Sequence, residues 1–255
     1  MIQLIRQGEW RAMDRTKTYE VTRIAAGVVS AERAVLPAEQ TVLLTVNGRC
    51  KIPFHCSPGM VEELVAGFLV TAGWVLSAEQ ILKIAYHPAK CHATAKVDGW
   101  SSGCTGTCAP TTVPCLPEAA MAFRVPADTL LAAMNEFRTR AERPGRPKGM
   151  HATAISGTAG IVAFAEDVSR NNTVDKAVGA CLLQGAPLYE SMLLTTGRIG
   201  LEMALKALRA GIPIIASFKG PTTAAVELAR SASIALAGRV TASGMIVFSA
   251  EGRIL

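Results

Sequence analysis

Aromatic residues are scarce in this chain, at 5% of its length, and charged residues make up only 18%. The first shortage excludes the stacking platform that single-stranded nucleic acid requires, and no helix-turn-helix signature is present. The net charge of +6 is moderate. It permits a polyphosphate ligand or an acidic partner without implying nucleic acid. No uncharged run is long enough to cross a bilayer. The first residues include Arg6, Glu9, Arg11, Asp14 and Arg15, which leaves no room for the apolar core of a signal peptide. The expectation is a cytoplasmic protein that engages neither membrane nor nucleic acid. In that reducing compartment seven cysteines point to thiol chemistry or a metal rather than a disulfide framework. Walker and Rossmann fingerprints are absent. The zinc-deaminase signature is absent too: Ala152-Thr153 follows His151 where a glutamate two residues on is needed, and Cys115 has no second cysteine three residues later.

What the chain does contain is alanine, valine, leucine and glycine, a composition suited to α/β layers with close helix–sheet packing. The expected class is α/β (α+β overall). The expected division is a small hairpin-plus-helix domain over residues 1–120 and an α/β domain over residues 121–255. Tyr19–Val29 and Thr41–Val46 read as strands, Asn47-Gly48 as a hairpin turn, and Arg49–Cys56 as the returning strand. A helix follows, with Ser57 as its cap, Pro58 at its first position, and an apolar stripe of Val61, Leu64, Val65, Phe68 and Leu69. Glu62 and Glu63 are expected to face out, and Gly73 to end the helix. Residues 98–117 read as a loop, and Pro126–Arg138 as a helix capped by Asp128. Arg138–Lys148 reads either as a solvated linker or as a mobile basic arm. Beyond it, Met192–Thr195, Pro213–Ser217 and Met245–Phe248 read as strands. Two helices separate them: Leu201–Ala210, with the stripe Leu201, Ala204, Leu205 and Leu208, and one from Pro221-Thr222-Thr223 to about Ala232.

Glu166–Lys176 concentrates the polar chemistry. It reads Glu-Asp-Val-Ser-Arg-Asn-Asn-Thr-Val-Asp-Lys between an apolar strand, residues 160–165, and an apolar helix, residues 177–183. A strand-to-helix junction presents free helix N–H groups, which is where α/β folds place ligands. The plain alternative is an N-cap with surface ion pairs. Two later junctions, Thr195-Thr196-Gly197-Arg198 and Lys219-Gly220-Pro221-Thr222, each combine a glycine, a cation and a helix start. That combination suits phosphate.

Cys104 and Cys108 lie in a Gly/Ser/Thr loop with Cys115 nearby. With no apolar shell to raise its pKa, such a thiol can ionise and carry a sulfane sulfur. The competing reading is zinc, drawn from His55-Cys56, His87, Cys91-His92, Cys104, Cys108 and Cys115. Cys181, inside an apolar helix, reads as inert.

These residues together resemble the formate dehydrogenase accessory sulfurtransferases, the FdhD/NarQ family. The likeness runs through Val46-Asn47-Gly48, Glu63-Leu64-Val65-Ala66-Gly67-Phe68-Leu69, His151, Glu166-Asp167-Val168, Arg170, Asn172 and Val174-Asp175-Lys176. It continues through Gly197-Arg198, Glu202, Lys206-Ala207, Ala210-Gly211-Ile212-Pro213 and Pro221-Thr222. The resemblance implies a persulfide carrier, with Cys104 first and Cys108 second as the catalytic thiols. Sulfur would come from a cysteine desulfurase and pass to the molybdenum bis(molybdopterin guanine dinucleotide) that the formate dehydrogenase catalytic subunit needs. A guanine nucleotide would be a surrogate ligand.

The same resemblance implies a homodimer and a cytidine-deaminase-like C-terminal domain without zinc. The implied cofactor-binding set is His151, Glu166, Asp167, Arg170, Asn172, Asp175, Lys176, Gly197, Arg198, Lys219, Pro221, Thr222 and the stretch Arg239-Val240-Thr241-Ala242-Ser243-Gly244. Arg198, Lys219 and Arg170 would neutralise phosphate. Asp167 and Asp175 would orient those cations or accept from guanine N–H groups. His151 would act as a proton shuttle or serve structurally. Glu202 and Lys206 are expected to form a surface ion pair.

The chain departs from the family in having three residues between Cys104 and Cys108, Ser169 and Asn171 where glycine and histidine are usual, and one cation in residues 239–244. These departures motivate the alternative of a non-catalytic nucleotide- or molybdopterin-binding chaperone. A zinc-stabilised binding module is the third reading.

Overall fold

The computed structural model describes residues 2–6, 15–99 and 115–255. The expectations placed on Cys104 and Cys108 lie outside these residues. Among the described residues no helix is long and apolar enough to cross a membrane.

The amino-terminal half is built on a five-stranded mixed sheet, ordered β1-β6-β7-β4-β5. Its strands are β1 (Gln3–Arg6), β4 (Gln40–Val46), β5 (Cys50–Cys56), β6 (Ile81–His87) and β7 (His92–Val97). Strands β4 and β5 turn at Asn47 and Gly48, both at positive φ (50° and 72°), and Arg49 N–H closes the turn on Val46 O at 3.0 Å. Asn47 also ties the turn to β7, donating to Val97 O at 3.1 Å and accepting from Val97 N at 2.9 Å. Helix α1 (Val61–Thr71) covers one sheet face, packing Val61, Leu64, Val65 and Leu69 on Val42, Leu44, Ile84 and Tyr86.

A separate hairpin, β2 (Thr16–Ala25) with β3 (Val28–Pro37), precedes this sheet. One strand over Tyr19–Val29 was the expectation. Instead the chain reverses at Ala26 and Gly27, which sit at φ 48° and 80°.

The carboxy-terminal half is a six-stranded sheet, ordered β13-β12-β11-β10-β8-β9. It comprises β8 (His151–Gly157), β9 (Gly160–Asp167), β10 (Met192–Thr195), β11 (Ile214–Ser217), β12 (Ala235–Gly238) and β13 (Ile246–Ser249). Strands β10, β11 and β12 are parallel neighbours, and their residues are buried throughout, as expected for a sheet covered on both faces. Helices α4 (Arg170–Gln184), α5 (Leu201–Arg209) and α6 (Thr223–Ser231) cover one face, over Ile155, Leu193, Ile215 and Leu236. Helix α3 (Ala127–Ala141) covers the other, with Leu130, Met134 and Phe137 against Ala154, Met192, Leu194 and Ile214. The short α2 (Glu118–Ala122) precedes it, and its Ala120 belongs to the first of these cores.

The two halves meet where α1 crosses α4. Gly67 and Gly179 lie at the crossing, where a Cβ added to either would collide with the other helix's backbone. Leu182 and Leu183 of α4 also reach the amino-terminal core. Because α1 is enclosed by the sheet on one side and α4 on the other, Glu62 is buried instead of facing out. The cap of α1 differs as well: Met60, at φ 56°, stands at the N-cap, and Ser57 bonds elsewhere. Pro126, not Asp128, precedes α3. In α5 the buried face is Met203, Ala204, Ala207 and Leu208, while Leu201 is exposed.

Candidate functional site

The sheet register gathers most of the expected ligand residues at one edge. His151 pairs with Asp167, Thr153 with Thr195, and Thr195 with Ser217, so the start of β8 and the ends of β9, β10 and β11 lie level. Strand β12 ends beside them. The loops leaving β10, β11 and β12 therefore share this edge.

Hydroxyls at the strand ends shape those loops. Thr195 Oγ1 accepts from Gly197 N at 3.0 Å, and Ser217 Oγ accepts from Lys219 N at 2.9 Å while donating to Gly197 O at 2.6 Å. Arg239 N donates to Lys219 O at 3.2 Å, Val240 N to Ser217 O at 3.1 Å, and Thr222 N to Ile199 O at 3.0 Å. The three loops are one hydrogen-bonded unit, so a ligand meeting one meets a fixed arrangement of all three. Gly197 permits close approach: a Cβ there would stand 3.4 Å from Arg170 Cβ. Arg239, itself at φ 52°, lies against Gly220, with its Nε 3.7 Å from a Cβ built there.

Arg170, Arg198, Lys219 and Arg239 are exposed at this edge, and their charged groups make no hydrogen bond or ion pair among the described residues. The helices α4, α5 and α6 begin here too. Ser169 and Thr222 cap α4 and α6 with their side chains, whereas Gly200 at the start of α5 supplies none. Unpaired cations and helix N-termini on one rim suit an anion with several phosphates. His151 is half-buried there. Burial, then Arg170 and Arg146, push its pKa below the usual histidine value, so it is neutral at pH 7. A neutral imidazole both donates and accepts.

The remaining expected residues point inward. Asp167 is fully buried. It lies 2.6 Å from Lys176 Nζ and accepts from Ser57 N and Ser169 N at 2.9 Å and from Asn172 Nδ2 at 3.2 Å. Lys176 donates to Ser57 O at 2.9 Å, and Asn172 to His55 O at 2.7 Å. Asp175 holds Lys206 Nζ at 2.8 and 2.9 Å and accepts from Thr71 Oγ1 at 2.5 Å. Burial raises its pKa, opposed by Lys206. Asp167 and Asp175 thus orient Lys176 and Lys206, not the cations of the edge. The expected surface pair of Glu202 with Lys206 does not form, because Lys206 is buried against Asp175 and Glu202 accepts from Asn171 at 2.6 Å.

Glu166 receives Arg143 at 2.6 and 2.8 Å and Arg146 at 2.6 Å. These arginines come from the basic run Arg138–Lys148, which begins in the last turn of α3. Beyond that turn the chain is largely exposed, as a solvated linker would be, but Arg143 and Arg146 tie it to the end of β9. Arg138, earlier in the run, sits over the Phe218 ring at 4.5 Å. Arg15, Arg143, Glu166 and Lys176, with Met60, Met150 and Phe164, line a cleft of about 300 Å³. A basic run followed by the Glu166-Asp167 pair at a strand end was the sequence signal for this cluster.

Cys115 is exposed, and with Val70, Pro117, Leu208 and Arg209 it lines a second cavity of about 360 Å³. Among the described residues no group of three or more histidine, cysteine or acidic side chains could hold a metal. His55 bonds Thr41 at 3.0 Å and His92 bonds Thr45 at 2.8 Å.

The FdhD/NarQ family profile matches residues 37–255. The chain is 30% identical to the sulfur carrier protein FdhD of Streptomyces avermitilis, covering 94% of this chain and 95% of that protein. It is 29% identical to that of Mycobacterium tuberculosis (92% and 96%) and 25% identical to that of Bacillus subtilis (94% and 97%). Its fold is similar to the crystal structure of a proposed formate dehydrogenase accessory protein from Desulfotalea psychrophila. The TM-score there is 0.79 at 24% identity, over 94% of this chain and 99% of that one.

Proposed function

Because the chain belongs to the FdhD/NarQ family, we propose that it is a sulfur carrier for formate dehydrogenase maturation. It takes sulfane sulfur from a cysteine desulfurase and passes it to molybdenum bis(molybdopterin guanine dinucleotide), its substrate. The observation that carries this reading is the rim on which Arg170, Arg198, Lys219 and Arg239 stand unpaired among the described residues, beside three helix starts. A ligand with guanine nucleotides and several phosphates matches that charge and those N–H groups.

The chemistry begins at Cys104, with Cys108 as second thiol. The Cys104 thiolate attacks the outer sulfur of the donor's cysteine persulfide. The donor S–S bond breaks, the donor leaves as a thiolate, and Cys104 holds the persulfide. Arg170, Arg198, Lys219 and Arg239, with Gly197, Pro221, Thr222 and the loop Val240-Thr241-Ala242-Ser243-Gly244, bind and orient the acceptor's phosphates. His151, neutral at pH 7, accepts or donates a hydrogen bond there. Asp167, Asn172 and Lys176 tie the start of α4 to the β5–α1 turn, Asp175 ties α4 to α1 and α5, and Glu166 fixes Arg143 and Arg146. This reading includes a homodimer, a cytoplasmic location, and two units over residues 1–120 and 121–255, the second cytidine-deaminase-like and without zinc.

The test is intact-protein mass spectrometry after incubation with a cysteine desulfurase and cysteine, followed by peptide mapping. A reducible gain of one sulfur on Cys104 or Cys108 is expected. No gain, with the desulfurase active on another acceptor, rejects the carrier and leaves the chaperone that only binds nucleotide or molybdopterin. Asn171, tied to Glu202 where the family usually has histidine, would fit that second reading.

A further inference from the structure

The five-stranded sheet has one face under α1, and among the described residues no element covers the other. Alternation along a strand sends successive side chains to opposite faces. Val42, Leu44, Phe54, Ile84, Tyr86, Ala93 and Ala95 lie in the core beneath α1. The intervening positions therefore point the other way. They hold Lys51 and His55 on β5, Lys83 and His87 on β6, and His92 and Lys96 on β7, all partly or fully exposed. The other outward positions of these strands carry threonine, leucine, proline or alanine. Among the described outward positions of β4 to β7 there is no carboxylate and no aromatic residue; Glu39 and Asp98 lie just beyond the strand ends.

The cations are not evenly spread. Lys83 pairs with Lys96 across β6 and β7, while Lys51 pairs with Thr45, one residue before the Val46–Ala95 pair. Lys83 and Lys96 thus stand near the end at which β7 finishes, and Lys51, level with Thr94, stands two residues short of them in the same half of the sheet. Two residues beyond Val97 the chain enters the segment that contains Cys104 and Cys108.

We propose that this open face docks an acidic surface of the protein that delivers sulfur to that segment. The proposal rests on the sulfur-carrier reading and adds to it the donor's docking surface and its charge. Charge complementarity selects the occupant. A second copy of this chain meeting the same face would bring cations and no carboxylate to it, and the absence of aromatic residues disfavours single-stranded nucleic acid. An acidic donor would be steered toward the lysine half and would arrive beside the departure point of the cysteine segment.

The test compares the full-length protein with Lys51→Glu/Lys83→Glu/Lys96→Glu and with a control, Lys17→Glu/Arg23→Glu/Arg33→Glu, on the exposed β2–β3 hairpin. The probe is a purified cysteine desulfurase, with affinity measured at low and high salt. Sulfur loading of Cys104 and Cys108 is measured from the desulfurase and, separately, from inorganic polysulfide. The sheet variant should lose about tenfold or more in affinity at low salt, and most of its salt dependence. It should load slowly from the desulfurase and normally from polysulfide, with the hairpin control close to wild type. Unchanged affinity in the sheet variant, or an equal loss in the control, overturns the proposal. A change of oligomeric state in the sheet variant by sedimentation makes the face a self-interface and also overturns it. If neither donor loads the wild type, the sulfur-carrier reading fails and this inference falls with it. Loading by polysulfide with desulfurase affinity indifferent to the lysines rejects only the docking surface.

Discussion

Gly67 and Gly179 stand opposite each other where α1 crosses α4, and each lies against the partner helix's carbonyl: Asp175 O faces Gly67, and Glu63 O faces Gly179. Glycine in a helix interior costs about 1 kcal/mol relative to alanine, so its presence at both points needs a reason. The reason is approach. Only without a Cβ can the backbones come this close, and the closeness lets Thr71 on α1 reach Asp175 and brings the β5–α1 turn to Lys176.

Gly67→Ala and Gly179→Ala should therefore destabilise the protein despite alanine's better helix propensity. The obstacle is backbone on both sides, which cannot swing aside as a side chain can. A loss of about 3 kcal/mol or more is expected, at or beyond the upper end for overpacking. Urea midpoints for each variant measure it. A gain in stability at either site would mean that the crossing is looser than described.

Asp167 and Lys176 form a buried pair, at 0% and 1% side-chain exposure. Asp167→Ala leaves the ammonium with only Ser57 O and strips Ser57 N and Ser169 N of their acceptor. A loss of about 3–5 kcal/mol is expected. Replacing both members, Asp167→Leu with Lys176→Met, should recover part of it, because an apolar pair removes the unpaired charge. Recovery will be incomplete because two backbone donors still lack an acceptor. A double variant no better than Asp167→Ala would show that the ion pair contributes nothing apart from those donors.

How far the sequence discloses this arrangement differs from residue to residue. Met192–Thr195 was legible as a strand because four buried residues bounded by turns leave few alternatives, and the glycine–cation junctions after β10 and β11 were legible as ligand loops. Strands β6, β7, β8 and β12 were not anticipated: Ala235–Gly238 holds no β-branched residue at all, and His151–Gly157 has only Thr153 and Ile155 among alanine and glycine. The burial of most of Glu166–Lys176, with Arg170 alone of the stretch exposed, was not legible either. It depends on α1 lying against α4, a contact made by residues more than a hundred positions apart. Lys206 is hidden in the same way, because its partner Asp175 belongs to another helix, 31 positions earlier, instead of its own surface.

Acid should weaken the fold partly through Glu166. Burial raises its pKa, but bonds from Arg143 and Arg146 outweigh that and hold it below the usual carboxylate value. The cluster thus contributes stability above the unfolded pKa of about 4.3 and loses it as pH falls through the lower folded value. His151 adds a second step of the same sign. Its folded pKa is depressed, so its contribution is present above about 6.5 and is lost as pH falls through its lower folded value. Urea midpoints measured from pH 8 to pH 3 should show both steps, with Glu166→Gln flattening the acid one and His151→Gln the other. A step that persists in its variant assigns it to another group.

At the rim, Arg198→Ala, Lys219→Ala and Arg239→Ala should each weaken binding of a guanine nucleotide about five- to tenfold, or about 1–1.4 kcal/mol. The effects should shrink with salt, because these side chains are exposed. The bound phosphates should also raise the His151 pKa toward its ordinary value, readable in the imidazole NMR shifts. Equal affinity in all three variants would move the nucleotide away from this rim. The 300 Å³ cleft beside Glu166 would then be the next place to look, through Arg15→Ala.

Thiol reactivity should divide the cysteines by burial. Cys56 and Cys181 are fully buried, and desolvation pushes their pKa values to about 11 and about 12, with Lys176 lowering that of Cys56 only in part. At pH 7.5 almost none of either is thiolate, and neither is reachable by reagent. Cys115 is exposed at the mouth of the 360 Å³ cavity. Iodoacetamide on the native protein should therefore modify Cys115, together with Cys104 and Cys108 if those carry sulfur as proposed, and should leave Cys56 and Cys181 untouched until the chain is unfolded in urea. Peptide mapping reads each site separately. Native labelling of Cys56 would show that the Asp167–Lys176 seam opens on the timescale of the reaction, because Cys56 immediately precedes the serine that both of those residues bind. Labelling confined to Cys115, with Cys104 and Cys108 silent, would remove the nucleophile on which the transfer chemistry depends and favour the chaperone that only binds its ligand.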